Sequence, residues 1–159
     1  METFFRYNWM VREQWYAWCE DLPLEELLRS RTGGVGSILQ TFFHIIDVEW
    51  SWLQILQGKP DGAEDFEHYK SLEAVRHFDR KLRPDVEAFV LAWDTSMEKR
   101  AHIEHQSNGD VVIDSWGEVM RHVIAHEIHH MGQLSVWARE LGKKPVSANV
   151  IGKGLIIPD

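Results

Sequence analysis

The 159-residue chain has one cysteine, Cys19, which excludes an intrachain disulfide framework and any multi-cysteine zinc site. It lacks long apolar runs. Charged or polar residues interrupt each hydrophobic stretch, far short of the roughly 20 residues a membrane span requires. No secretory signal pattern is visible, because Met1–Trp9 carries Glu2, Arg6 and Asn8 with no apolar core behind them. A protein of the cytoplasm, with no membrane partner, is therefore expected. Basic residues are in deficit, with Lys+Arg 17 against Asp+Glu 25 and a net charge of −8. Gripping a phosphate backbone needs the opposite balance, so no nucleic-acid partner is expected. There is no internal repeat and no low-complexity tract. What the chain has in quantity is 44% hydrophobic residues, which argues against disorder, together with nine histidines and eight tryptophans.

Four long segments show helical periodicity. The first spans Glu2 to Glu20, with Phe5, Trp9, Arg12, Trp15 or Tyr16, and Cys19 at three- and four-residue steps, and Pro23 ends it. Pro23–Leu28 reads as one or two helical turns leading into Thr32-Gly33-Gly34. Ser37 or the glycines before it open the second long helix, which runs to Gln57 and stops at Gly58-Lys59-Pro60. Asp61–Lys70 is acidic, without period, and reads as a surface loop. The third helix starts at Ser71 and buries Leu72, Val75, Phe78 or Asp79, Leu82, Val86, Phe89, Val90 and Trp93. Pro84 within it predicts a kink or break. Ala101–His105 and Val111–Ile113 flank Asn108-Gly109 and predict a short β-hairpin. Ser115 caps the fourth helix, which ends near Leu141-Gly142, and Val150, Ile151, Leu155, Ile156 and Ile157 of the tail are expected to pack back. The fold class is all-α: an up-down-type four-helix bundle, one domain over residues 1–159, with a hairpin-like insertion before the last helix.

The fourth helix carries two apolar stripes at 100° per residue. Val119, Val123, His126, His130, Trp137 and Leu141 share one face; Ile124, Ile128, Met131, Ser135 and Ala138 share another. A helix apolar on two sides is central to its own bundle or lies in a subunit interface, and the second case suggests a homodimer.

Within Arg121–Gln133 lie four histidines in nine consecutive positions, His122, His126, His129 and His130. Imidazoles at i and i+4 share a helix face and can chelate one ion, which allows His122/His126 or His126/His130. His122 and His130 stand about 12 Å apart along the axis and cannot both join one ion. The string His126-Glu127-Ile128-His129-His130 also matches the H-E-x-x-H pattern of zinc proteases. The extended form of that motif requires Gly and His where this chain has Gln133 and Val136, and no later helix offers a Glu ligand. A protease is not expected.

A remaining ligand must come from upstream. His68, His77, His102 and His105 lie in polar loops or on a charged face, whereas His44 sits midway along the apolar second helix, in line with Val48, Trp52 and Ile55. A core His bonded to a carbonyl or to Asp47 is the alternative reading. Bundles build metal sites from facing helices, and the pair on the last helix favours a ligand. Three neutral imidazoles leave coordination positions open for water or a small-molecule substrate. An all-nitrogen set of this kind suits Zn, Ni, Cu, Fe or Co, and affinity alone does not choose among them; Zn or Ni is expected first, with Mn as a further candidate. Asp47, Glu49 and Glu127 are candidates to orient the ligands. Glu127 is also the candidate general base; Trp52 and Trp137 fall on the ligand faces, where core packing is their first expected role and walling the pocket their second.

The stretch His122–Leu134, continuing through Arg139-Glu140-Leu141-Gly142-Lys143-Lys144-Pro145, resembles the last helix of the DinB-like superfamily of bacterial four-helix bundles. Phe43–Trp52, with a His and a Trp eight residues later, matches the superfamily's other hallmark, and the likeness covers nearly the whole chain. The resemblance implies a divalent metal held by His44, His126 and His130, and a homodimer. It implies no kinship with the DNA polymerase that shares the family's name. Functions implied are a thiol S-transferase or isomerase using a low-molecular-weight thiol such as bacillithiol, or a metal-dependent hydrolase. A non-catalytic metal-binding or stress-response module is the third reading. In the transferase reading Arg139, with Lys143 and Lys144, would receive carboxylates of the thiol cofactor, and Cys19 would not be the nucleophile.

Overall fold

The computed structural model describes residues 1–62 and 64–156. Its four long helices are α1 (Glu2–Cys19), α3 (Ile38–Leu56), α4 (Leu72–Leu91) and α5 (Trp116–Glu140), with a one-turn α2 (Leu24–Leu28) between the first two. Side-chain oxygens stop the chain fraying where the sequence places serines. Ser37 Oγ accepts from the Gln40 amide at the start of α3, and Ser71 Oγ from the Ala74 amide at the start of α4. Ser115 and Glu118 form a reciprocal capping box at the start of α5. At the other end Gly142 takes φ +68°, and the Lys143 amide donates back to the Ala138 carbonyl, which closes α5.

Helix α3 packs against both α4 and α5, and α1 closes the ring by packing against the same two. The direction of each helix follows from who meets whom. Arg12 meets Glu127 and Asn8 meets the Ile124 carbonyl, so α1 and α5 run parallel. Arg83 lies over the Trp9 ring while Arg76 reaches Glu20, so α1 and α4 are antiparallel. Phe43 stacks on Phe78 near the start of both helices, and Leu53 and Leu56 join Val86 and Val90 in one cluster near their ends, so α3 and α4 are parallel. The bundle thus runs up, down, down, up. Parallel neighbours need a return connection as long as the helix, about 28 Å for the 19 residues of α3. The segment 57–71 supplies it, and on its way back Phe66 and Tyr69 pack on Phe43.

Pro84 does not end α4, which is continuous from Leu72 to Leu91. It sits on the exposed side, where water can meet the carbonyl that loses its amide partner. The acidic loop contains one 3₁₀ turn, Phe66–His68. Strands β1 (Ala101–His105) and β2 (Val111–Ser115) pair antiparallel, His102 opposite Asp114 and Ile103 opposite Ile113. Their turn is one residue longer than an Asn-Gly pair alone predicts. Gln106 and Asp110 still pair, and Ser107-Asn108-Gly109 form the loop with Gly109 at φ +91°. Residue Ser115 ends β2 and caps α5, so strand and helix meet without a linker.

Both stripes of α5 find partners, though unequally. Val119, Val123, His130, Trp137, Ile124, Met131 and Ala138 are buried, whereas Ile128 is exposed beside Met1, Phe4 and Ala125 in a groove between α5 and α1. The tail packs less than its apolar residues suggest. Val146 and Leu155 lie on the core, but Val150, Ile151 and Ile156 are exposed, and Ile157 lies outside the described residues. Hydrogen bonds hold the tail instead: Tyr7 donates to the Ala148 carbonyl and Trp18 to the Lys144 carbonyl. Among the described residues no helix is long and apolar enough to cross a membrane.

Candidate metal centre

His44 on α3 and His126 and His130 on α5 converge, because the two helices pack side by side and the α5 pair is separated by one turn. His126 Nε2 lies 3.0 Å from His44 Nε2 and 3.1 Å from His130 Nε2. An ion with bonds of about 2.0–2.1 Å to imidazole separates neighbouring nitrogens by roughly 2.9–3.4 Å, so these spacings fit a bound cation. Hydrogen bonding alone does not satisfy the arrangement. One proton on His126 Nε2 can serve only one of its two neighbours, and three lone pairs facing one point call for a positive charge. The rings are kept in the neutral form that ligates. Burial, then the neighbouring imidazoles, pushes His126 down to about 3. Burial also lowers His44 and His130. His130 is itself buried, and His44 and His126 are partly exposed, so the centre has an open side. Among the described residues the cluster holds three imidazoles and no carboxylate or thiol.

His122 stands outside the cluster. Its ring lies 5.8 Å from the His126 ring and 6.2 Å from Trp52, which also packs edge-on against His102 of β1. Trp52, Asp114, Glu118, Val119 and His122 line a cleft of about 270 Å³, one to two turns of α5 before the three histidines. No Lys or Arg lines it. Trp137, by contrast, is fully buried and donates to the Thr32 carbonyl. Arg139 turns back along its own helix, donating to the Ser135 carbonyl at 2.7 Å. Lys143 lies over the Trp18 ring, 3.9 Å from Asp21.

Glu127 faces α1. Its two oxygens accept from Arg12 Nε at 2.8 Å and Arg12 Nη2 at 2.6 Å, and burial pushes its carboxyl up against the pull of that guanidinium. Arg12 is fully buried and also meets Glu49 of α3 at 3.0 Å and Asp79 of α4 at 3.1 Å. Trp9 donates to Glu49, and Tyr16 and Arg83 donate to Asp79. A single guanidinium thus ties carboxylates of three helices to a fourth. Of the three acids expected beside the ligands, Glu49 and Glu127 belong to this network. Asp47 does not; its Oδ1 has no hydrogen-bond partner among the described residues, and burial, then Asp61 and Glu64, raises it to about 6. Sequence reasoning passed over the network, although an arginine inside the apolar stripe of α1 was its signal. It also passed over Gln133, whose Oε1 lies 2.7 Å from His130 Nδ1.

Cys19 is fully buried, and burial pushes its thiol up to about 12. At pH 8 its thiolate fraction is on the order of 10⁻⁴, and reactivity follows the thiolate. The native protein is therefore expected to release almost no chromophore from a disulfide reagent such as DTNB within an hour, and one equivalent per chain after denaturation. Rapid native labelling would make Cys19 a candidate nucleophile after all.

A four-helix bundle whose second and last long helices bring three histidines to one point defines a class of bundles that could hold a metal ion. The chain belongs to the DinB family, whose model matches residues 1–154. It is 46% identical over 156 residues to the uncharacterized protein YizA of Bacillus subtilis (strain 168), an overlap of 98% of this chain and 96% of that one.

Proposed function

We propose that the protein is a metal-dependent transferase that joins a low-molecular-weight thiol, of the bacillithiol type, to a small electrophilic substrate. The observation that carries this reading is the composition of the centre: three neutral imidazoles with an open side, and neither a carboxylate base nor a protein thiol among them. A divalent ion held by His44, His126 and His130 would lower the pKa of a thiol and fix the resulting thiolate, which is the chemistry such a cation supplies. The transfer forms one carbon–sulfur bond; the leaving group departs with its electron pair, and the thiol proton passes to solvent. Trp52 and Val119 offer the substrate an apolar wall, with the Asp114 and Glu118 carboxylates at its rim. Arg139 and the lysines after it lie beyond the centre, and their part in holding the thiol belongs to the same proposal.

Hydrolysis by a metal-activated water is the competing reading. There the cation would lower the pKa of its water and supply hydroxide as nucleophile; Arg12 occupies both oxygens of Glu127, the candidate general base, so Glu127 would add little to it. Hydrolysis assisted by Glu127 is thereby disfavoured, and turnover of a hydrolysable ester or amide without added thiol would decide for the unassisted form.

The test uses protein purified without a histidine tag, loaded in turn with Zn, Ni, Co, Mn, Fe(II) or Cu. Each form is mixed with monochlorobimane and bacillithiol, cysteine, glutathione or coenzyme A. Conjugation accelerated by one metal form with one thiol, and lost on chelation, is the expected result. If every combination runs at the protein-free rate, the transferase reading is overturned.

A further inference from the structure

Gln133 is the next polar group outward from the three imidazoles, and its position on α5 has a consequence for His130. It lies three residues after His130 and four after His129, so on a helix it stands one turn above both rings. Gln133 Oε1 is 2.7 Å from His130 Nδ1, while Gln133 Nε2 is 3.0 Å from His129 Nε2. The donor and acceptor roles follow from chemistry. An amide oxygen can only accept, so His130 Nδ1 must carry the proton; an amide nitrogen can only donate, so His129 Nε2 must be bare. A neutral imidazole has a single ring proton. With it on Nδ1, His130 Nε2 turns a lone pair toward His44 and His126.

The amide has two ends and could face His130 either way. Reversed, its NH₂ would meet Nδ1, the ring proton would move to Nε2, and the lone pair facing the cluster would be lost. In the orientation found, the NH₂ end meets His129 Nε2, which accepts from it in the Nδ1–H tautomer. A second element supports the amide from its other side. Gly34, at φ +78° in the loop before α3, approaches so closely that a Cβ there would lie 2.7 Å from Gln133 Oε1 and 3.1 Å from Trp137 Cη2.

We infer that Gln133 is a positioning residue that fixes the metal-ligating tautomer of His130, with His129 holding the far end of its amide and Gly34 leaving it room. This rests on the reading of His44, His126 and His130 as a metal centre. It also accounts for the adjacent His129-His130 pair: one ring faces the cluster, the other fixes the amide that orients it.

The experiment has two readouts. In metal-free protein, ¹⁵N–¹H correlation spectra of the imidazoles report the His130 tautomer directly. Competition with a chromophoric chelator reports zinc affinity. Wild type is expected to show Nδ1–H on His130. Gln133→Leu should mix the tautomers and weaken zinc by about 10–100-fold, the usual effect of removing a ligand's orienting partner. Gln133→Glu, which keeps an acceptor, should hold the tautomer and stay within about 3-fold of wild type. His129→Phe should mix the tautomers and weaken zinc by less than Gln133→Leu, at about 3–10-fold. Gly34→Ala should weaken zinc although it touches no ligand. Nε2–H on His130 in wild type, or a Gln133→Leu protein with unchanged tautomer and affinity, overturns the inference. Should Gln133→Leu fail to fold, the wild-type and His129→Phe spectra decide it. Should wild type bind no metal, the metal-centre reading fails, while the spectra still report whether Gln133 sets the tautomer.

Discussion

Replacing Arg12 by methionine is expected to destabilise the protein by about 3–5 kcal/mol, a large share of the stability of a domain this size. The reason lies in what the guanidinium leaves behind. Glu49, Asp79 and Glu127 are all buried, and Arg83 reaches only Asp79 among them. Without Arg12, two carboxylates lose their counter-charge in a place water does not reach. Urea unfolding followed by far-UV circular dichroism measures the loss, read as a lower midpoint with an unchanged slope. Removing an acid together with the arginine, as in Arg12→Met/Glu127→Met, should recover part of it, because fewer charges are then buried unpaired. A single-variant loss below about 1 kcal/mol would show that the network carries little stability. Acid should remove the share that Asp79 contributes, whereas protonation of Glu127, whose carboxyl burial raises, acts in the opposite sense. Burial raises Asp79, but Arg12 and Arg83 outweigh it and hold the carboxyl below its ordinary range. A carboxyl depressed in the folded state contributes stability that is present above its unfolded pKa and is lost as pH falls toward the folded one.

The second large effect concerns the histidines. His126→Ala is expected to leave less than about 0.1 metal ion per chain after loading and desalting, because His126 lies between the other two rings. His44→Ala and His130→Ala should each weaken binding by more than about 100-fold, beyond what losing an outer partner costs. His122→Ala should stay within about 3-fold, since its ring faces Trp52 and stands outside the cluster. Elemental analysis and chelator competition decide between these outcomes. Equal losses for His122→Ala and His130→Ala would overturn the ligand assignment.

Much of this architecture was legible in one dimension. Ser37, Ser71 and Ser115 mark helix starts because a hydroxyl is the cheapest partner for an orphan amide, and Gly142 marks an end because only glycine readily turns left-handed there. The i/i+4 spacing of His126 and His130 announced a site. The spacing left His122/His126 equally open, and the docking of α3 against α5 brings His44 to the second pair. The Arg12 network was hidden for a different reason. Its carboxylates lie on three other helices, and nothing in their spacing says that Glu49 and Glu127, read as partners of the ligands, turn with Asp79 to one arginine instead. The parallel sense of α3 and α4 depends on the path of the segment 57–71, which has no periodicity to follow. Gln133 was visible as a residue, but its role is apparent only once the loop carrying Gly34 is folded against it.

The seam between β2 and α5 bears on how the cleft opens. Asp114 belongs to the strand and Glu118 to the helix, and the capping box between Ser115 and Glu118 lies at their junction. A hairpin attached this way has no free hinge at its helical end. Swinging it aside would unwind the first turn of α5 and release Glu118 from Ser115. The cleft lining that can still move there is side-chain, such as the Trp52 and His122 rings, whose rotations are fast compared with any domain movement. The cleft is thus bounded by side chains free to rotate within a backbone frame that is fixed at its helical end.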